Sequence, residues 1–89
     1  MSADSINKRL RYALPIRGYS QTRFLPVFNE HLQRIAPHAK PIGAGTLSRI
    51  CTGQRHLYDY EILALTEALD LDLDWLMGRG ALPPVRGRR

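Results

Sequence analysis

Apolar residues along this chain recur at spacings of three and four, and no stretch keeps the strict alternation of a strand, so the pattern is helical throughout. Ile6, Leu10, Ala13 and Leu14 form one stripe and predict a first helix from about Asp4 to Ile16, with Lys8, Arg9 and Arg11 turned outward. Pro15 removes a backbone donor and disfavours helix at Leu14, so this helix is expected to kink or stop early there, and Gly18 ends the segment. Ser20 has the hydroxyl of a good N-cap, and Phe24, Phe28, Leu32 and Ile35 follow at helical spacing. Pro26 falls inside that run. Either the helix kinks, or a turn closes at Leu25 and a new helix starts with Pro26 in its first turn. The stretch from Ala36 to Ala44, broken by Pro37, Pro41 and Gly43, reads as a loop.

A third helix is expected from about Ala44 to Thr52. Leu47 and Ile50 point inward, which leaves small and polar residues for the outer face, and Gly53 fits the left-handed position just past its end. Basic residues follow at once. This is the pattern of a helix that enters a DNA groove and ends beside phosphate. Asp59 can cap a fourth helix from Tyr60 to Leu69, whose apolar residues are Ile62, Leu63, Leu65 and Leu69. Asp70 sits at a sharp turn. Asp72 can cap a short fifth helix, with Leu71 and Leu76 as a hydrophobic staple across the cap, and Gly78 stops it. The expected organisation is one domain over residues 1–78 and a Gly-, Pro- and Arg-rich basic tail over 79–89, expected to be disordered. There are no internal repeats.

Charge changes the picture through its placement. The net charge is +5. Residues 1–58 carry nine Lys/Arg against Asp4 and Glu30, residues 59–74 carry six acids and no Lys or Arg, and Arg79, Arg86, Arg88 and Arg89 restore the positive sign. Such polarity suits a front that faces a polyanion and a back that does not. At 89 residues the chain is a single small domain, marginal alone and helped by a partner. The lone Cys51 permits no internal disulfide, and the first residues hold no long apolar run, so the expectation is a cytoplasmic protein with no membrane segment.

From Gly43 to Gly78 the order is a short reader-like helix, Gly53, a basic loop, an amphipathic helix and Asp70-Leu-Asp-Leu-Asp-Trp-Leu-Met-Gly78. This closely resembles the Cro/CI-type (Xre-like) helix-turn-helix family of phage and bacterial regulators. Thr46 to Gly53 resembles that family's third helix, Ala64 to Leu69 with Leu73 to Gly78 its last two, and Arg17-Gly-Tyr-Ser-Gln-Thr-Arg-Phe24 the junction of its first two. The resemblance implies an all-α, lambda-repressor-like bundle of five to six helices. It also implies double-stranded DNA as partner, with Gln21 and Arg23 at the start of the second helix and Gln54, Arg55 and His56 in the following loop as phosphate contacts. Ala44, Gly45, Thr46, Ser48 and Arg49 would form the face that meets base edges. An arginine can pair bidentately with guanine, and a threonine methyl can touch thymine. The chain departs from the family in two respects. About a dozen extra residues, within Val27 to Lys40, separate the second and third helices. The two leading reader positions, Ala44 and Gly45, have no side-chain donor, so direct readout rests on Arg49 with Thr46 and Ser48.

The remaining chemistry-bearing residues have plainer roles. Cys51 reads as a small core thiol, and His31, His38 and His56 have no metal-ligand spacing with each other or with Cys51. Phe24, Phe28 and Trp75 read as core. Glu61, Glu67 and the aspartates at 70–74 read as caps and a solvated face, with no companion nucleophile. No cofactor, metal or catalytic residue is expected. The function expected is a sequence-specific regulator, a repressor by operator occupancy, working as a homodimer whose contact surface is the C-terminal half or the inserted segment. The alternative keeps the fold but not the DNA binding: a protein-interaction module of anti-activator or antitoxin-like kind, with a regulatory protein as partner.

Overall fold

The computed structural model describes residues 6–79, and within them the chain is all helical with no strand: α1 (Ile6–Ile16), α2 (Gln21–Ile35), α3 (Ala44–Cys51), α4 (Asp59–Leu69) and α5 (Leu73–Leu76). Asp4, expected in the first helix, and residues 80–89 of the expected disordered tail lie outside the described residues. α2 packs on α4 and α3, while α1 packs on α3 and α5. One core holds Leu10, Ala13 and Leu14 of α1, Phe24, Phe28 and Leu32 of α2, Leu47, Ile50 and Cys51 of α3, and Leu65, Leu69, Leu71, Trp75 and Leu76 beyond. The apolar stripes therefore locate the core well.

Both prolines lie within α-helix. α1 continues through Pro15 to Ile16, and α2 is one helix through Pro26, which removes the alternative of a turn closing at Leu25. Residues 27–40 thus continue α2 to Ile35 and enter an eight-residue connection, 36–43, with no sixth helix among the described residues. Pro15 and Pro26 are exposed, as are Arg11 and Thr22 four residues before them. The carbonyls that lose a donor therefore lie on the wet side of each helix, where water replaces it.

Four helices stop by one device. Gly18, Gly53, Asp70 and Gly78 follow α1, α3, α4 and α5 with φ of 85, 83, 52 and 112°. The next amide in each case bonds back across the end: Tyr19 to the Leu14 carbonyl, Gln54 to Arg49, Leu71 to Thr66 and Arg79 to Asp74, all at 2.8–3.0 Å. These left-handed stops satisfy carbonyls that a helix end otherwise leaves bare. Ser20 begins α2 as expected, its hydroxyl accepting the Arg23 amide at 3.1 Å.

Three arginines near the start of the chain add a second layer to these ends. Arg11 Nη1 donates to the Cys51 carbonyl at 2.6 Å, at the end of α3. Arg17 donates to the carbonyls of Leu69 and Asp70 at 2.7 and 3.0 Å, at the end of α4. Arg9 Nη1 donates to the carbonyls of Trp75 and Arg79 at 2.9 and 3.2 Å, across α5, with its guanidinium 5.0 Å from the Trp75 ring centre. A cation at the negative end of a helix is favourable, and more so when shielded from water. Arg9 corrects the sequence reading. Expected to point outward, it is fully buried. It lies three residues after Ile6 and four before Ala13, so helical spacing puts it on the apolar stripe, and its charge is matched by carbonyls and an aromatic face.

Two further expectations need correction. Tyr58, not Asp59, is the N-cap of α4; Asp59 is its first helical residue and accepts the Tyr60 amide at 2.8 Å. Leu63, one of the apolar residues named for that helix, is 46% exposed. Glu61, expected among caps and a solvated face, does cap the start of α4 but is buried. Asp72 is the N-cap residue of α5 without a side-chain cap bond, while Leu71 and Leu76, the two ends of the expected staple, are both buried.

Candidate nucleic-acid interface

α3 is short because Gly43 and Gly53 bound it, and it is held by its inner face. Leu47, Ile50 and Cys51 are buried, while Ala44, Gly45, Ser48 and Arg49 are exposed and Thr46 is half-buried. The position of its far end is fixed twice, by Arg11 on the Cys51 carbonyl and by Gly53 against Asn7. A Cβ at Gly53 would sit 3.0 Å from Asn7 Nδ2 on a backbone with φ of 83°, so glycine is required there for two reasons.

Arg49 does not stand away from the helix. Its Nη2 lies 3.4 Å from Thr46 Oγ1, and its Nη1 would lie 3.7 Å from a Cβ at Gly45. The guanidinium therefore lies back toward the first turn, beside Gly45 and Thr46. The bare Gly45 position and the single arginine adjoin, so the small residue leaves room for the guanidinium.

The flanking residues divide into two sets. Gln21 is the first residue of α2, next to the Ser20 cap, and Arg23 is exposed one turn on; Gln21 also borders a cleft with Arg11 and Tyr19. On the other side, Gln54 and His56 are exposed, but Arg55 is not a free cation. Its Nη1 and Nη2 reach Glu61 Oε1 and Oε2 at 3.0 and 3.1 Å, and Nη1 also donates to the His56 carbonyl at 3.0 Å. Glu61 Oε1 accepts the Tyr58 amide at 2.9 Å as well, so one buried carboxylate ties the basic loop to the start of α4. The hydrogen bond to Glu61 raises the Arg55 guanidinium further above its ordinary range. Exposed cations around α3 are then Arg11, which is tied to the Cys51 carbonyl, Arg23, Lys40 and Arg49. Lys40, together with Thr46, Arg55 and Tyr58, lines a cleft of about 320 Å³.

Lys40, Tyr58 and Glu61 are site residues that the sequence reading passed over. For Glu61 a signal existed: it stands three residues after Tyr58, where a carboxylate reaches back to the first free amide of a helix. For Lys40 there was none beyond its charge. Elsewhere, burial pushes the Cys51 thiol up, outweighing the opposing pull of Arg11. The histidines are dispersed: His31 Nδ1 lies 3.3 Å from Glu67 Oε1, and His38 packs edge-on against Tyr60. Among the described residues no three His, Cys, Asp or Glu side chains converge as metal ligands.

The α4–α5 side of the molecule has a different character. Ile62, Leu63, Leu73 and Met77 line an apolar groove between α4 and α5, with Asp59 at its edge. Leu63, Leu73 and Met77 are 46, 42 and 54% exposed. Among the described residues no helix is long and apolar enough to cross a membrane. Comparison of the chain with protein-family models, with curated proteins and with solved structures finds no match in any of the three.

Proposed function

We propose that the protein is a helix-turn-helix regulator that binds double-stranded DNA, with α3 as the helix that enters the major groove. One observation carries this reading: α3 is anchored by its inner face while its outer face bears only small residues, two hydroxyls and Arg49 lying along it. A helix with so little bulk approaches base edges closely, and one arginine can take the O6 and N7 of a guanine. Gln21 and Arg23 on one flank and Gln54 and His56 on the other are the proposed phosphate contacts, which set register without reading sequence. Ala44, Gly45, Thr46 and Ser48 contribute close approach and methyl contact. Regulation is by occupancy of an operator, most simply repression.

The acting species is proposed to be a homodimer joined through the groove of Leu63, Leu73 and Met77. An exposed apolar face shared by two copies suits a two-fold operator. The test is binding to the protein's own upstream DNA and to random duplex across a salt series, with light scattering for the dimer. Affinity falling log-linearly with salt, and a preference for upstream DNA, are expected. Equal affinity for both duplexes removes the specific-regulator reading.

A second reading has an observation of its own. Arg55 is engaged by Glu61 and the leading reader positions are bare, while the exposed apolar groove suits a protein partner. An interaction module of anti-activator or antitoxin-like kind would bind neither duplex at low salt.

A further inference from the structure

We infer that the cleft between the α2–α3 connection and the start of α4 is a phosphate site, in which Lys40 and Arg55 hold one phosphodiester of the duplex beside the groove that α3 enters; this rests on the DNA-binding reading above. Lys40, Thr46, Arg55, Tyr58, Tyr60 and the Glu61 carboxylate border the cleft, so a group bound there touches both the first turn of α3 and the loop after it.

The hydrogen-bond geometry of Arg55 decides what the cleft can hold. A guanidinium has five N–H donors. Glu61 takes one from each Nη, and the His56 carbonyl takes the second from Nη1. The Nε–H and the remaining Nη2–H are left, and these two run parallel on one edge of the plane. That edge is the fork that matches two oxygens of a phosphate. Glu61 is therefore a positioning residue: buried, with both oxygens occupied, it holds Arg55 by the end of its guanidinium and leaves that edge unpaired. The Tyr58 ring, 5.5 Å from the Arg55 guanidinium, flanks the other face. Because Glu61 cancels the charge of Arg55, attraction for an anion depends on a second cation, and exposed Lys40 supplies it.

Lys40 is also held in place, although it lies on a connection between helices. Asn29 of α2 accepts the Ile42 amide at 2.9 Å and donates to the Ile42 carbonyl at 3.0 Å, and Gln33 donates to the Ala39 carbonyl. The lengthened α2 thus provides two side chains that fasten the segment carrying Lys40 at either side of it. The ordering cost of gripping a phosphate is correspondingly small.

The experiment uses the full chain with a random-sequence duplex and a salt series, comparing the parent with Lys40→Ala and Arg55→Ala, each checked for helical content by circular dichroism. Each variant is expected to bind all sequences more weakly and to lower the log–log salt slope by about 1. In the parent, the Arg55 Nε–H resonance is expected to shift when duplex is added, and Lys40→Ala to shrink that shift. A parent that binds duplex while Lys40→Ala keeps the full slope, or an Arg55 Nε–H that does not move, overturns the inference and leaves the regulator reading standing. A parent that shows no preference for its upstream DNA, yet loses slope in both variants, has the phosphate site without the specific regulation. A parent that binds no duplex at low salt sinks both.

Discussion

The α3 side and the α4–α5 side both leave a large part of their surface to solvent, but they are built in opposite ways. On the α3 side the apolar residues of the helix, Leu47, Ile50 and Cys51, are turned inward, and two arginines are aimed by neighbours: Arg49 by Gly45 and Thr46, Arg55 by Glu61. On the α4–α5 side the charged residues are mostly acidic and Leu63, Leu73 and Met77 stay exposed. A polar face stiffened by hydrogen bonds suits a charged, shaped target, whereas an apolar groove suits a surface of its own kind. The comparison also shows how charge counts mislead. Arg9, Arg11 and Arg17 belong to the basic half of the sequence, yet their guanidinium groups stitch helix ends together.

The strongest way to break this contrast is to remove what supports both sides. Arg9→Ala is expected to cost about 2–4 kcal/mol, since it opens a cavity under Trp75 and leaves buried carbonyls without a donor. Urea denaturation reads this, and retention of full stability would mean that α5 does not depend on the contact. Next in size, Arg49→Ala should lower affinity for the preferred operator roughly tenfold to a hundredfold while leaving the denaturation midpoint unchanged. An equal loss on random duplex would assign Arg49 to phosphate.

Leu63→Asp, on the other side, is expected to dissociate the dimer in light scattering and to change monomer stability by less than about 0.5 kcal/mol, because the position is half exposed. A dimer that persists would point to another surface. Smaller again is Gly45→Ala. A Cβ there meets only Arg49 Nη1 at an ordinary 3.7 Å, so a gain of about 0.5–1 kcal/mol is expected from helix propensity. The smallest effect concerns Cys51. Its thiol is held above the ordinary 9.0, so it should resist alkylation in the folded protein and react on unfolding. Favouring the neutral form, the site contributes stability that is intact below pH 9.0 and is lost as the pH rises through the higher folded value.

Much of the fold was legible because helix boundaries here are local events. Ser20, Gly18, Gly53, Asp70 and Gly78 each act on the residues beside them, and each stands where the sequence suggests. What was hidden depends on distance in sequence. Arg9 finds its acceptors 66 and 70 residues away, and only the assembled bundle explains a charged residue on an apolar stripe. The course of the chain at Pro26 was equally undecidable from local rules, since one exposed proline is compatible with a break or with a continuous helix. The candidate site divides along the same line. The outer face of α3 follows from periodicity alone, whereas the alignment of Lys40 with Arg55 depends on how Asn29 and Gln33 fasten a connection whose sequence looks merely irregular.

The link from Arg9 to the carbonyls of residues 75 and 79 has a consequence in time. α5 spans only four residues and has little stability as an isolated helix. As the chain leaves the ribosome, α1 and α3 can pair long before the acceptors of Arg9 exist, and the apolar groove cannot form until Leu73 and Met77 have arrived and been fastened. The groove proposed for a second copy is therefore complete only once the α5 segment has been fastened.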